Sequence, residues 1–158
     1  MGHYGNAQIC LNGHVITSIG NDPQFLKKFC SECGAETIMN CKNCNAAIKG
    51  LYIGDSFGFP DYHAPSFCDN CGQPYPWTQS KKQAASELID FADQLNATEK
   101  DELKGSIDDL IKDTPKTALA QMKFKKYASK AGSEIAKGLK DILIDIVSET
   151  VKKSIWNV

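Results

Sequence analysis

Cys30/Cys33, Cys41/Cys44 and Cys68/Cys71 form three C-x-x-C pairs, and Cys10 with His14 forms a fourth pair of spacing C-x-x-x-H. Together they use all seven cysteines of the chain and one of its three histidines. Two residues between cysteines let a tight turn direct both thiolates at one cation, while N–H groups of the turn hydrogen-bond the sulfurs. A residue that tolerates positive φ after the second cysteine helps such a turn close. Gly34, Asn45 and Gly72 stand at those places, and Gly13 eases the Cys10–His14 turn. Seven thiolates and one imidazole are what two tetrahedral Zn2+ ions require, and a site with four protein ligands keeps no position open for a substrate. The expected metal residues are therefore Cys10, His14, Cys30, Cys33, Cys41, Cys44, Cys68 and Cys71.

The rival ligands are His63, alone in a loop-like stretch, and His3, near the terminus; a solvated or packing role suits both better than replacing His14. The pairing of the four pairs stays open at this level. Only seven residues, GAETIMN, separate Cys33 from Cys41. That length suits a tight β-hairpin joining two knuckles of one ribbon, so a nested order is favoured, with Cys10, His14, Cys68 and Cys71 forming the other site. A sequential order and a cross-braced one are the alternatives. A disulfide framework belongs to oxidising compartments, and an Fe–S cluster matches the four-pair layout poorly.

The elements that must position these ligands change character near residues 77–80. Residues 1–79 hold every Cys and His, nine of twelve Gly and five of six Pro, and read as short strands, turns and loops. Residues 80–158 hold 14 of 18 lysines and 13 of 19 acidic residues among apolar residues at helical spacing. The expected fold class is α+β: a small double zinc-ribbon module over 1–79, followed by an all-α bundle of about four helices over 80–158. Apolar stripes are expected at Ala84, Leu88, Phe91, Ala92 and Leu95, and then at Leu103, Ile107, Leu110 and Ile111 behind a Thr98 cap. A third stripe takes in Leu119 and Met122, with Phe124 and Tyr127 as further members, behind a Thr114 cap and Pro115. Gly132–Ser133 reads as a break before a last helix carrying Ile135 to Ile155, with Gly138 as a place of close packing.

The formal net charge of −1 argues against a globally basic nucleic-acid binder, and with no arginine the chain lacks the bidentate fork most used for phosphates and base edges. Lys123, Lys125, Lys126 and Lys130, with Phe124 and Tyr127, are the best nucleic-acid or membrane-surface candidates; a solvated helix face is the simpler reading. The aromatics Tyr52, Phe57, Phe59, Tyr62, Phe67, Tyr75 and Trp77 read as a small core around the metal sites rather than a stacking platform. The N-terminus has neither the charged nor the apolar region of a signal peptide, and no apolar run is long enough for a transmembrane helix. The cysteines are accordingly expected to be reduced, in the cytoplasm. No P-loop, dinucleotide fingerprint, nucleophile elbow or H-E-x-x-H string is present, and every cysteine is assigned to metal, so no enzyme is expected.

The strings HYGNAQICLNGHVIT, FCSECGAETIMNCKNCNAAIKG and FCDNCGQPYPWT resemble an uncharacterised family of bacterial zinc-ribbon proteins, catalogued as a domain of unknown function. The resemblance covers most of residues 3–79 and, more loosely, the helical remainder. It implies that the same eight residues are the metal ligands, and it implies no activity. The leading functional expectation is a non-enzymatic, zinc-stabilised adaptor acting through protein contacts, with self-association through the last helix as one form of contact. The alternatives are a nucleic-acid-binding accessory or regulatory protein, and a membrane-surface or toxic effector acting through the helical half.

Overall fold

In the computed structural model, which describes residues 2–55, 58 and 60–158, the three C-x-x-C pairs fold as one repeated turn. The N–H of the first cysteine donates to the carbonyl five residues on: Cys30 N to Ala35 O, Cys41 N to Ala46 O and Cys68 N to Gln73 O, at 2.8–2.9 Å. Gly34, Asn45 and Gly72 each donate back to the first cysteine's carbonyl at 2.8 Å, with φ of 74°, 65° and 75°. A single β-bridge clamps each turn: Phe29 with Glu36, Asn40 with Ala47, and Phe67 with Pro74.

The chain divides into two units, Met1–Gln79 and Ser80–Val158. In the first, β1 (His3–Asn6) pairs antiparallel with β5 (Lys49–Ile53), while β2 (Gln8–Cys10) lies between β3 (Val15–Thr17) and β4 (Thr37–Ile38). The β2–β3 hairpin has the Cys10–His14 turn as its tip, with Gly13 at φ 93°. Ala7, Ile9, Cys41, Ile48, Cys68, Tyr75 and Trp77 are buried together as the unit's core. Tyr75 and Trp77 stack at 4.7 Å between ring centres, and Trp77 Nε1 donates to Pro65 O at 2.9 Å. Their aromatic rings are thus core, as expected, whereas Tyr52 is exposed; Phe57 and Phe59 lie outside the described residues.

Helix α1 (Pro76–Asp90) begins at the PYPWT phrase, with proline at its first position, where the missing N–H costs nothing. The second unit continues with α2 (Ala97–Ile111), α3 (Thr117–Ala131), α4 (Ser133–Leu143) and α5 (Glu149–Trp156). Five helices replace the expected four, because the long last helix is two: the chain leaves α4 at Leu143, and Ser148 caps α5 by accepting from Val151 N. Three other details differ. Asn96, not Thr98, caps α2, accepting from Glu99 N and donating to Glu99 Oε1. Helix α3 starts at Thr117, past the Thr114–Pro115 pair, with no side-chain cap. The buried face of α3 is Ala120, Phe124, Ala128 and Ala131, leaving Leu119 and Met122 exposed.

The first stripe holds only in part. Ala92 and Leu95 are buried as expected, whereas Ala84 is exposed and Phe91, beyond the helix end, is 76% exposed. Ala85 and Ile89 join Trp77 and Thr78 as the buried residues of α1. The Leu103–Ile107–Leu110–Ile111 stripe is buried as expected. Gly138 does mark a close approach, since a Cβ there would lie 2.7 Å from Leu88 Cδ2.

Candidate metal centres

Two groups of four potential ligands come together: Cys10, His14, Cys30 and Cys33 in the first, and Cys41, Cys44, Cys68 and Cys71 in the second. Within each, every ligand atom lies within 4.8 Å of the others. The order along the chain is sequential, so the favoured nested pairing is wrong. The reason lies in the seven residues between Cys33 and Cys41. They form no hairpin of their own; Thr37 and Ile38 become β4 and pair with β2, setting Cys10 opposite Thr37 and Ile9 opposite Ile38. Leu11 N adds a bond to Glu36 O at 3.0 Å. Gln8, 7% exposed, holds the approach to the Cys30 turn: it accepts from Lys27 N and donates to Lys27 O and Thr37 Oγ1, all at 2.9 Å. An extended strand between the two turns holds them apart and gives the earlier one to Cys10.

The spacing within the groups has the size of a tetrahedral cage. Sulfur arms of about 2.3 Å and nitrogen arms of about 2.0 Å give S···S edges of about 3.8 Å and S···N edges of about 3.5 Å. In the first group Cys10 Sγ is 3.7 Å from Cys33 Sγ and 3.4 Å from His14 Nδ1, and Cys30 Sγ is 3.6 Å from His14 Nδ1. In the second, Cys41 to Cys71 and Cys44 to Cys68 are each 3.7 Å. The donor set is soft, and a tetrahedral ion held by all four ligands of a group has no open position, which is the condition of a structural rather than a catalytic site.

Each group sets thiols made acidic against one made resistant to ionisation: Cys33 against Cys10 in the first, Cys68 and Cys71 against Cys41 in the second. Cys33 is lowered to about 6, first by the Ala35 N–H and then by the Asn12 carboxamide. Cys68 is also lowered to about 6, chiefly by the Cys71 N–H. Burial pushes Cys41 up to about 11 and raises Cys10. Hydrogen bonds to the charged form and withdrawal from water are the two opposing causes. At neutral pH, Cys33 and Cys68 are thus ionised, whereas Cys10 and Cys41 must give up a proton to bind a cation.

Several residues that contact the ligands were not foreseen. The Asn12 Nδ2 donates to Cys33 Sγ at 3.3 Å, and the Asn70 Nδ2 to Cys44 Sγ at 3.4 Å. Asn43 hydrogen-bonds Cys71, which, after the Gln73 N–H, lowers that thiol. Glu32 Oε2 stands 3.6 Å from His14 Nε2, on the ring edge opposite the sulfurs. The Tyr75 hydroxyl bonds Cys68; burial, ahead of that bond, raises the tyrosine. The signal for four of these was available: Asn12, Glu32, Asn43 and Asn70 each stand two places after the first cysteine of a pair. His3 and His63 are exposed and belong to neither group.

Residues 3–155 match the family described as "Uncharacterized protein conserved in bacteria (DUF2321)". The chain belongs to that family. All eight ligands lie inside the matched span, as does nearly all of the helical unit. Neither the curated proteins nor the solved structures offer a match to the chain. The family description carries no activity, so the chemistry of the two groups is the guide to function.

Of the two rings in the lysine cluster on α3, Phe124 is buried and Tyr127 is half-buried. Phe124 is 1% exposed and packs edge-on against Trp156, and the Tyr127 hydroxyl bonds Glu102. Lys130 pairs with Glu99 at 2.7 Å. Among the described residues, no helix is long and apolar enough to cross a membrane.

Proposed function

We propose that each four-ligand group holds one structural Zn2+ ion, and that the protein is a non-enzymatic cytoplasmic adaptor whose surfaces engage a protein partner. The observation that carries the metal reading is the closure of both groups: four soft ligands at tetrahedral spacing in each, with every cysteine used. Thiolates and an imidazole favour zinc among the abundant divalent ions, and reduced thiols suit a reducing compartment. The adaptor reading rests on chemistry the ligands cannot do. Their thiolates are committed, and the sequence carries no nucleophile elbow or phosphate loop to take their place.

Elemental analysis of the purified chain should give two zinc ions per molecule, with iron absent. A pull-down from the native cell in the presence and absence of chelator tests the adaptor reading; partner capture that survives complete metal loss would sever function from the ribbon. Salt-dependent nucleic-acid binding abolished by Lys125→Glu with Lys126→Glu would replace the adaptor reading with the nucleic-acid one.

A further inference from the structure

The four residues placed two after the first ligand of each pair form a reciprocal set. Three reach across their group to a ligand of the opposite turn, Asn12 to Cys33 at 3.3 Å, Asn70 to Cys44 at 3.4 Å and Glu32 to His14 at 3.6 Å, and Asn43, at the equivalent place, acts on Cys71. Three of the ligands so contacted are thiolates when a cation is bound, and they need hydrogen-bond donors. The fourth is an imidazole. With Nδ1 turned to the sulfurs, its Nε2 carries the hydrogen and needs an acceptor. The three thiolates meet carboxamides, and the imidazole meets the one carboxylate.

We propose that Asn12, Glu32, Asn43 and Asn70 are positioning residues matched in donor or acceptor character to the ligand each faces, and that Glu32 selects histidine at position 14. The inference rests on the two-ion reading. A carboxylate on the far nitrogen fixes the tautomer and ring angle of a ligating histidine, and such outer contacts typically change metal affinity by about tenfold to a hundredfold. Against a thiolate the same carboxylate would repel, while a carboxamide would donate.

The test is a double-variant cycle on the full chain, with Glu32→Asn, His14→Cys and both together. Zinc retention at the first group is read by chelator competition. Cadmium NMR separates the groups in the parent and Glu32→Asn chains by nitrogen against all-sulfur ligation, and in the His14→Cys chains the resonance that the substitution moves is the first group's. His14→Cys should improve retention at least about tenfold more in the Glu32→Asn background than in the parent. Effects that multiply independently, within about twofold, overturn the matching. Asn70→Asp supplies a second arm at the other group: a carboxylate against Cys44 should weaken retention there about tenfold or more and leave the first group's cadmium resonance in place. An unchanged second group also overturns the proposal. A parent protein that binds no metal overturns the two-ion reading with it, whereas two bound ions and an independent cycle overturn the matching alone.

Discussion

Removing both ions should unfold the first unit while the second keeps its helices. Among the described residues of the first unit, the fully buried large apolar side chains are few: Ile9, Ile48, Tyr75 and Trp77. At about 1.5–3 kcal/mol each, their burial contributes roughly 6–12 kcal/mol as an upper estimate. A structural zinc site contributes on the order of 10 kcal/mol or more, and here there would be two. The ions therefore outweigh the apolar core, and the strands of two to five residues have little else to hold them. Trp77 is the natural probe, being 1% exposed and hydrogen-bonded to Pro65. In a Trp156→Phe background it is the remaining tryptophan. Excess chelator should shift its emission to that of solvated indole and open it to a soluble quencher, while the far-UV helical signal largely persists. A Trp77 emission unchanged after proven loss of both ions would refute the reasoning.

The two groups should not empty together. Cys33 is exposed and the His14 side chain is 43% exposed, whereas Cys41 and Cys68 are buried and the other two ligands of that group are half-buried; limiting chelator should release the first group's ion first, with Cys33 the first cysteine alkylated in a mass-spectrometric time course. Gly34→Ala meets no atom within 4 Å, so its cost is the left-handed backbone alone, about 1–2 kcal/mol in a denaturation series, and Gly34→Asn should recover most of it, as Asn45 does at the matching turn. Gln8→Ala should cost about 1–3 kcal/mol by leaving the Lys27 N–H without its acceptor, and should speed metal loss from the first group more than from the second. Phe124→Ala should cost the helical unit about 3–5 kcal/mol in thermal or denaturant unfolding, while Met122→Ala, at an exposed position, should stay within about 0.5 kcal/mol.

Local chemistry was legible in the sequence, and the partners chosen at a distance were not. C-x-x-C spacing with Gly or Asn behind it encodes the turn itself, and the two Gly turns and the Asn turn close alike. Which turns share a group depends on β4, two residues long, whose choice of β2 over a local hairpin is made by tertiary pairing and by Gln8. The Leu103–Ile111 stripe was legible even though its cap is Asn96 rather than Thr98. The stripes of the neighbouring helices slipped. Ending α1 at Asp90 takes Phe91 off the helix, and starting α3 two residues past Pro115 turns Phe124 inward and Met122 outward. The residues flanking the ligands were overlooked because asparagine in a turn already has an adequate local explanation. Only the folded chain sets each carboxamide against a sulfur of the other turn.

The sequential order of the two groups has a consequence for biosynthesis. All ligands of the first group lie within residues 10–33 and all ligands of the second within 41–71, so the two sets do not interleave. As the chain leaves the ribosome from its N-terminus, all ligands of the first cage emerge before any cysteine of the second does. Each newly exposed thiol can then be taken up by its own cage in turn. The pairings of β2 with β4 and of β1 with β5 wait for later chain. A nested order would have left Cys10 and His14 open until Cys71 emerged, with two intact C-x-x-C pairs competing for the same ion.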